Sequence, residues 1–171
     1  MHIPDDPAYF EKFYFTPGDL GYKVFETKFA KIGVLICWDQ WYPECARAMA
    51  LMGAELLFYP TAIGAEPQDA TLDTRHMWRR AMVGHAVSNC MPVIAANRVG
   101  SEDDHGQTAQ KFYGTSFIAN EWGDVLCDLD DAETGLLVST FDLDQARKHR
   151  ASMGFFRDRR PQLYSRLAED I

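Results

Sequence analysis

The chain has 171 residues, 47% of them apolar, and carries a formal charge of −8. That is one domain's worth of chain, able to bury roughly 70% of its unfolded surface, and its acidic balance argues against a nucleic-acid partner while saying nothing sharp about a small substrate, although a cationic one would be welcome. No apolar run nears the roughly 20 residues of a membrane span, and Met1-His2-Ile3-Pro4-Asp5-Asp6-Pro7 has neither the basic start nor the apolar middle of a secretory leader, so the expected setting is the cytoplasm with no membrane partner.

The opening is irregular and proline-punctuated through Gly18. Residues 22–29 then alternate like a strand, and residues 31–37 read as its buried neighbour. Pro43 suits the first turn of a helix in which Ala46, Met49 and Ala50 fall at helical spacing, and Gly53 suits the position just past its end. Residues 55–59 return as a short buried strand. Residues 61–72 read as a loop with Gly64, Pro67 and several acids. The longest helical pattern spans residues 71–89, with Met77, Ala81, Gly84, Val87 and Ser88 on a small-residue side and Arg75, Arg79 and Arg80 elsewhere.

Residues 92–96 read as another strand. Residues 112–119 and 125–129 flank Asn120-Glu121-Trp122-Gly123-Asp124 and predict a hairpin. A further strand over 135–141, a short basic helix over 143–150 and an arginine- and aromatic-rich tail over 155–171 complete the chain. The tail reads as an assembly surface. No repeat or linker marks a second domain, so the expectation is a single layered α/β unit.

The four cysteines, Cys37, Cys45, Cys90 and Cys127, form no CxxC pair, which gives disulfides and zinc little support. His76 and His85 lie nine apart and out of phase on a helix, so no metal is expected there. No GxGxxG or GxxxxGK[ST] run cradles a phosphate, and no cofactor is implied.

Cys37 ends the run Lys31-Ile32-Gly33-Val34-Leu35-Ile36 and is followed by Trp38-Asp39-Gln40-Trp41-Tyr42-Pro43-Glu44. A strand, a sharp turn and a helix opening near Pro43 would lift this thiol to the carboxyl end of a sheet, where α/β proteins gather their chemistry. The plainer alternative is a small buried hydrophobe. If the thiol is a nucleophile, its base is either a histidine, His85 or His105, or a group of another kind.

Three segments carry a resemblance. Glu11-Lys12-Phe13-Tyr14-Phe15-Thr16-Pro17-Gly18-Asp19, Ile36-Cys37-Trp38-Asp39-Gln40-Trp41-Tyr42-Pro43-Glu44 and Gly53-Ala54-Glu55-Leu56-Leu57-Phe58-Tyr59-Pro60-Thr61-Ala62-Ile63-Gly64 resemble the carbon-nitrogen hydrolase (nitrilase) superfamily, and within it the N-carbamoylputrescine amidases. His2-Ile3-Pro4-Asp5-Asp6-Pro7, Asn97-Arg98, Phe112-Tyr113-Gly114 and Arg157-Asp158-Arg159-Arg160-Pro161 match in the same order, so the resemblance covers nearly the whole chain.

The resemblance implies the carboxy-terminal part of a four-layer α-β-β-α sandwich, a homo-oligomer, and hydrolysis of non-peptide C–N bonds by a glutamate, lysine and cysteine triad. On this pattern Cys37 is the nucleophile, the Trp38 backbone amide is an oxyanion donor, and Glu11 matches a supporting glutamate. The family's catalytic lysine directly precedes the segment that matches Met1-His2-Ile3-Pro4, and its catalytic glutamate lies earlier still. Neither position falls within this chain, and Lys12, Lys23, Lys28, Lys31 and Glu26 do not take those roles.

The expectation is therefore a chain begun at an internal methionine of a longer domain and inactive by itself. The alternative from another class is a non-catalytic interaction or structural domain. In the complete enzyme the expected reaction converts N-carbamoylputrescine to putrescine, carbon dioxide and ammonia; another amidase or carbamoylase of the superfamily is the close alternative. For the ammonium of such a substrate Glu66 is the expected anchor and Asp69 the second, with Trp38 and Trp41 lining the pocket.

Overall fold

The computed structural model describes residues 2–5, 9–66, 68–69, 71–103 and 109–169. In chain order its elements are α1 (Glu11–Tyr14), β1 (Val24–Glu26), β2 (Lys31–Val34), a 3-10 turn (Cys37–Trp41), α2 (Pro43–Leu51), β3 (Leu56–Thr61), α3 (Arg75–Asn89), β4 (Val93–Asn97), β5 (Val99–Asp103), β6 (Ala109–Tyr113), β7 (Phe117–Ala119), β8 (Val125–Asp128) and α4 (Leu143–Met153).

Six strands form one mixed sheet in the order β1-β2-β3-β4-β7-β8. The centre is parallel, because α2 and α3 return the chain from β2 to β3 and from β3 to β4. The flanks, β1 on one side and the β7–β8 hairpin on the other, are antiparallel. β5 and β6 make a separate two-stranded ribbon.

The register sends Gly33, Leu57, Tyr59, Val93 and Ala95 to one face, where all are buried. That face packs against Cys45, Ala46, Met49 and Ala50 of α2 and Trp78, Met82 and Ala86 of α3. Trp78 sits edge-on between Tyr113 and Phe117, with ring centroids 5.8 and 5.6 Å away. Large side chains of this kind contribute roughly 1.5–3 kcal/mol each when fully buried. The opposite face is also apolar, with Phe25, Ile32, Val34, Phe58 and Ile94 half-buried or exposed. Strands apolar on both faces read as continuous runs rather than alternating ones, which is why residues 31–37 look so uniformly buried in sequence.

Several expectations change. The first strand shrinks to Val24–Glu26. The span 112–119 is two strands, because Gly114 and Thr115 both adopt positive φ and break the ladder. The polar strand β5 and the four-residue α1 were not expected. Residues 135–141 form no strand: Leu136 and Val138 are 86% and 75% exposed, and no ladder partner lies beside them among the described residues. The tail forms two 3-10 turns, Pro161–Leu163 and Ser165–Ala168.

α3 starts at Arg75, after turns in which Asp69 and Asp73 bind the backbone of Thr71 and Arg75. Its core side carries Trp78, Met82, His85, Ala86 and Asn89, whereas Met77 and Val87 from the small-residue side are exposed. Bulk at 78 and 82 outweighs smallness at 81 and 84 in choosing the buried face. Among the described residues no helix is long and apolar enough to cross a membrane.

Candidate active site

β2 and β3 are parallel, so their carboxyl ends open on the same edge of the sheet. β2 stays in the ladder through Leu35, whose N–H donates to Phe58 O at 2.9 Å. The chain then reverses at Cys37, which has φ 46, a left-handed conformation that costs a residue with a Cβ about 1 kcal/mol or more. Asp39, 3% exposed, closes the turn by accepting the Ile36 N–H at 3.0 Å. Within the turn the Asp39 N–H donates to Ile36 O at 3.1 Å.

Cys37 opens onto a cavity of about 570 Å³. The segment after β3 makes one wall. Asn97, at the end of β4, holds it by accepting the Ile63 N–H at 2.9 Å and donating to Ile63 O at 3.0 Å. Gly64 bridges to Phe112, and the Ala65 N–H donates to Lys111 O at 2.8 Å. A Cβ on Gly64 would lie 2.0 Å from Lys111 O, so only glycine permits this approach. Gln110 of β6 joins the two walls: its Nε2 donates to Ala65 O at 2.9 Å, and its Oε1 accepts from Tyr9 Oη at 3.0 Å.

Burial pushes the Glu11 carboxyl above its usual range. Burial, followed by the charge of Glu66, pushes the Tyr9 phenol up as well. Tyr9, Glu11, Glu66 and Cys37 all border this cavity.

All six site residues expected from sequence, Cys37, Glu11, Trp38, Trp41, Glu66 and Asp69, border this cavity. Trp38 and Trp41 meet edge to face at 6.4 Å. Asp69 is partly committed elsewhere, since Thr71 donates to it from its backbone at 2.9 Å and from its hydroxyl at 2.6 Å, holding its carboxyl below the usual range. His85 does not border the cavity. It is 5% exposed and bound to Tyr59 Oη at 2.8 Å, and burial lowers its pKa to about 4. That removes it as the base for Cys37. His105 lies outside the described residues.

Sequence reasoning missed Tyr9, Gln40, Thr74 and Met77 as cavity residues, and Asp39, Asn97 and Gln110 as supports. Asp39 and Gln40 stand in the segment around Cys37, Asn97 in the Asn97-Arg98 match, and Tyr9 is an aromatic two residues before Glu11, but Thr74, Met77 and Gln110 carry no such signal.

A second polar group lies behind the turn. His2 Nδ1, an Asp39 oxygen and Cys45 Sγ fall within 4.8 Å of one another, a donor set suited to a cation such as zinc. Here those atoms bind each other. His2 meets Asp39 through its backbone N–H at 2.7 Å and its Nδ1 at 2.9 Å, and Cys45 Sγ shares a hydrogen bond with Tyr22 Oη at 3.0 Å.

A mixed sheet with α2 and α3 packed on one face, and a strained cysteine at its carboxyl edge beside a cavity, define a layered α/β protein with a candidate thiol site. The chain belongs to the carbon-nitrogen hydrolase family, whose profile matches residues 1–151. It is 60% identical over 169 residues to an N-carbamoylputrescine amidase of Arabidopsis thaliana, covering 97% of this chain and 56% of that protein. It is 50% identical over 166 residues to a citrullinase of Francisella tularensis, covering 97% and 58%. The crystal structure of a carbon-nitrogen hydrolase from Helicobacter pylori superposes with a TM-score of 0.92 at 44% identity, over 99% of this chain and 59% of that one. The chain thus spans little more than half the length of these relatives.

Proposed function

We propose that this chain carries the nucleophile, a supporting glutamate and the substrate-binding wall of a cytoplasmic, homo-oligomeric enzyme that hydrolyses N-carbamoylputrescine in polyamine biosynthesis. The observation that carries the reading is the strained Cys37 at the mouth of a cavity that also holds Glu11 and Glu66. Cys37 Sγ attacks the carbamoyl carbon, and the charge that develops on oxygen is met by backbone donors at Trp38. The tetrahedral adduct expels an amine or ammonia, which takes a proton as it leaves, and water hydrolyses the covalent acyl-enzyme. Glu66 faces the substrate's ammonium, with Asp69 further out, and the Trp38 and Trp41 rings enclose the alkyl chain.

A protonated thiol is a poor nucleophile, so the reaction needs a base and a cationic oxyanion partner. By the family pattern these are the glutamate and lysine of polypeptide that precedes the His2 segment. Release of ammonia from N-carbamoylputrescine is therefore measured for the purified chain beside the same chain preceded by the amino-terminal part of the A. thaliana relative. The expected result is turnover by the extended chain and at least about 10⁴-fold less by the chain alone. Equal rates would defeat the triad assignment. Turnover of citrulline but not of N-carbamoylputrescine by the extended chain would favour the second reading, a ureido amino-acid substrate, suggested by the relative in F. tularensis.

A further inference from the structure

His2, Asp39 and Cys45 do not border the Cys37 cavity, yet they bring together an imidazole, a carboxylate and a thiol, three side-chain types that bind zinc. One ligand atom from each lies within 4.8 Å of the others. Tetrahedral zinc holds nitrogen and oxygen at about 2.0–2.2 Å and sulfur at about 2.3 Å, which sets its ligands about 3.4–3.6 Å apart. His2 Nδ1 and Cys45 Sγ already stand 3.6 Å apart. His2 Nδ1 and Asp39 Oδ1 are 2.9 Å apart and need to open by only about half an ångström.

Each donor is also held by a group outside the trio. The His2 ring is stacked on Tyr42. Asp39, its side chain 5% exposed, accepts the Ile36 backbone N–H at 3.0 Å. Cys45 Sγ shares a hydrogen bond with Tyr22 Oη at 3.0 Å. Partners of this kind fix the orientation of ligands before a metal arrives.

We infer that His2 Nδ1, an Asp39 oxygen and Cys45 Sγ form a zinc site, with water in the fourth position on the exposed side of His2. Binding releases the Cys45 thiol proton to solvent and moves the imidazole proton from Nδ1 to Nε2, so that Nδ1 and the thiolate each give a lone pair to the ion. The negative charges of Asp39 and the thiolate balance Zn2+, and no buried charge is left uncompensated. Tyr22 Oη then donates to the thiolate. The ion sits between its ligands and needs no preformed space for a water; the His2 side chain, 37% exposed, is the way in. Because Asp39 also closes the turn at Ile36, the metal ties the start of the described chain to the turn that presents Cys37.

The test strips the purified chain of metal with a chelator and titrates it with Co2+, a spectroscopic stand-in for zinc, and then with Zn2+ in competition. The expected result is one equivalent of Co2+ bound with a sulfur-to-cobalt charge-transfer band that Zn2+ displaces. Zinc at about a hundredfold excess over its Kd is expected to raise Tm by about 5 °C or more.

Cys45→Ser is expected to abolish the band, His2→Gln to raise the Kd for zinc by about tenfold or more, and Cys37→Ala to leave band and Kd unchanged. Absence of the band in the unaltered chain overturns the inference, as does a band that survives Cys45→Ser or vanishes in Cys37→Ala. If Cys45→Ser does not fold, His2→Gln, at a half-exposed position, decides alone: an unchanged Kd overturns the inference. The site stands apart from the reading of Cys37 as nucleophile, so these outcomes leave the proposed function where it was.

Discussion

His2 and Asp39 are joined twice, by the His2 backbone N–H at 2.7 Å and by its Nδ1 at 2.9 Å, and the other Asp39 oxygen accepts the Ile36 N–H. His2 is further held by stacking on Tyr42, with centroids 3.6 Å apart at 9°. One buried carboxylate therefore fastens the beginning of the described chain to the residue before Cys37. Replacing it with alanine strands three donors, so Asp39→Ala is expected to cost about 3 kcal/mol and lower Tm by roughly 6–12 °C. Thermal unfolding followed by circular dichroism measures this; a shift below about 2 °C would show that the clamp is redundant.

The approach of the Gly64 segment to β6 leaves no room for a side chain. Gly64→Ala is expected to break the Gly64–Phe112 bridge and the Ala65 to Lys111 hydrogen bond, destabilising the chain by about 2 kcal/mol or more. Hydrogen exchange gives the local readout: the Ala65 and Tyr113 amides, which bond Lys111 O and Ile63 O, should lose protection while those of β3 and β4 keep it. Retained protection at Ala65 would contradict the packing argument.

His85 makes stability depend on pH. Folded, it is neutral against Tyr59, with a pKa near 4, whereas its ordinary value is 6.5. Above pH 6.5 neither state binds the proton and the full stability is present. As pH falls from 6.5 toward 4 the unfolded chain takes up a proton that the folded chain refuses, and about 3 kcal/mol is lost. Urea denaturation at pH 7.5 and 4.5 should show this fall in the unaltered chain and a smaller one in His85→Gln. Parallel pH profiles for the two would place the loss on other groups.

Glu66 borders the cavity, and its charge is felt by Tyr9. In the extended chain, Glu66→Gln is expected to raise KM for N-carbamoylputrescine by about tenfold or more, and for a neutral N-carbamoyl alkylamine by less than about twofold. A uniform rise would remove Glu66 from recognition of the ammonium.

The parallel centre of the sheet was legible because it rests on local signals: Pro43 at a helix start, Gly53 past its end, and apolar runs at 31–37 and 55–59. The hairpin was legible from Gly123, which has φ 89 and sits against Val83 and Val87. What escaped was set at long range. β5 is polar and takes its place only by pairing with β6, and α1 is too short to show a period. Residues 135–141 have strand composition but no neighbouring ladder, and composition alone does not make a strand.

The candidate site divides in the same way. Cys37, Glu11 and Glu66 were visible as motifs, but Gln40 looks from sequence like any polar residue between two tryptophans. Its burial and its hydrogen bond are properties of packing with Trp78, 38 positions away.

Position 37 also sets a direction for drift. Glycine would occupy its left-handed backbone without strain, so a lineage that no longer needed a thiol would gain stability by the loss of that side chain. Decay at this position is therefore downhill, and return to cysteine is uphill. Surveying residue 37 across populations carrying this chain would read whether the nucleophile is still being maintained against its own backbone.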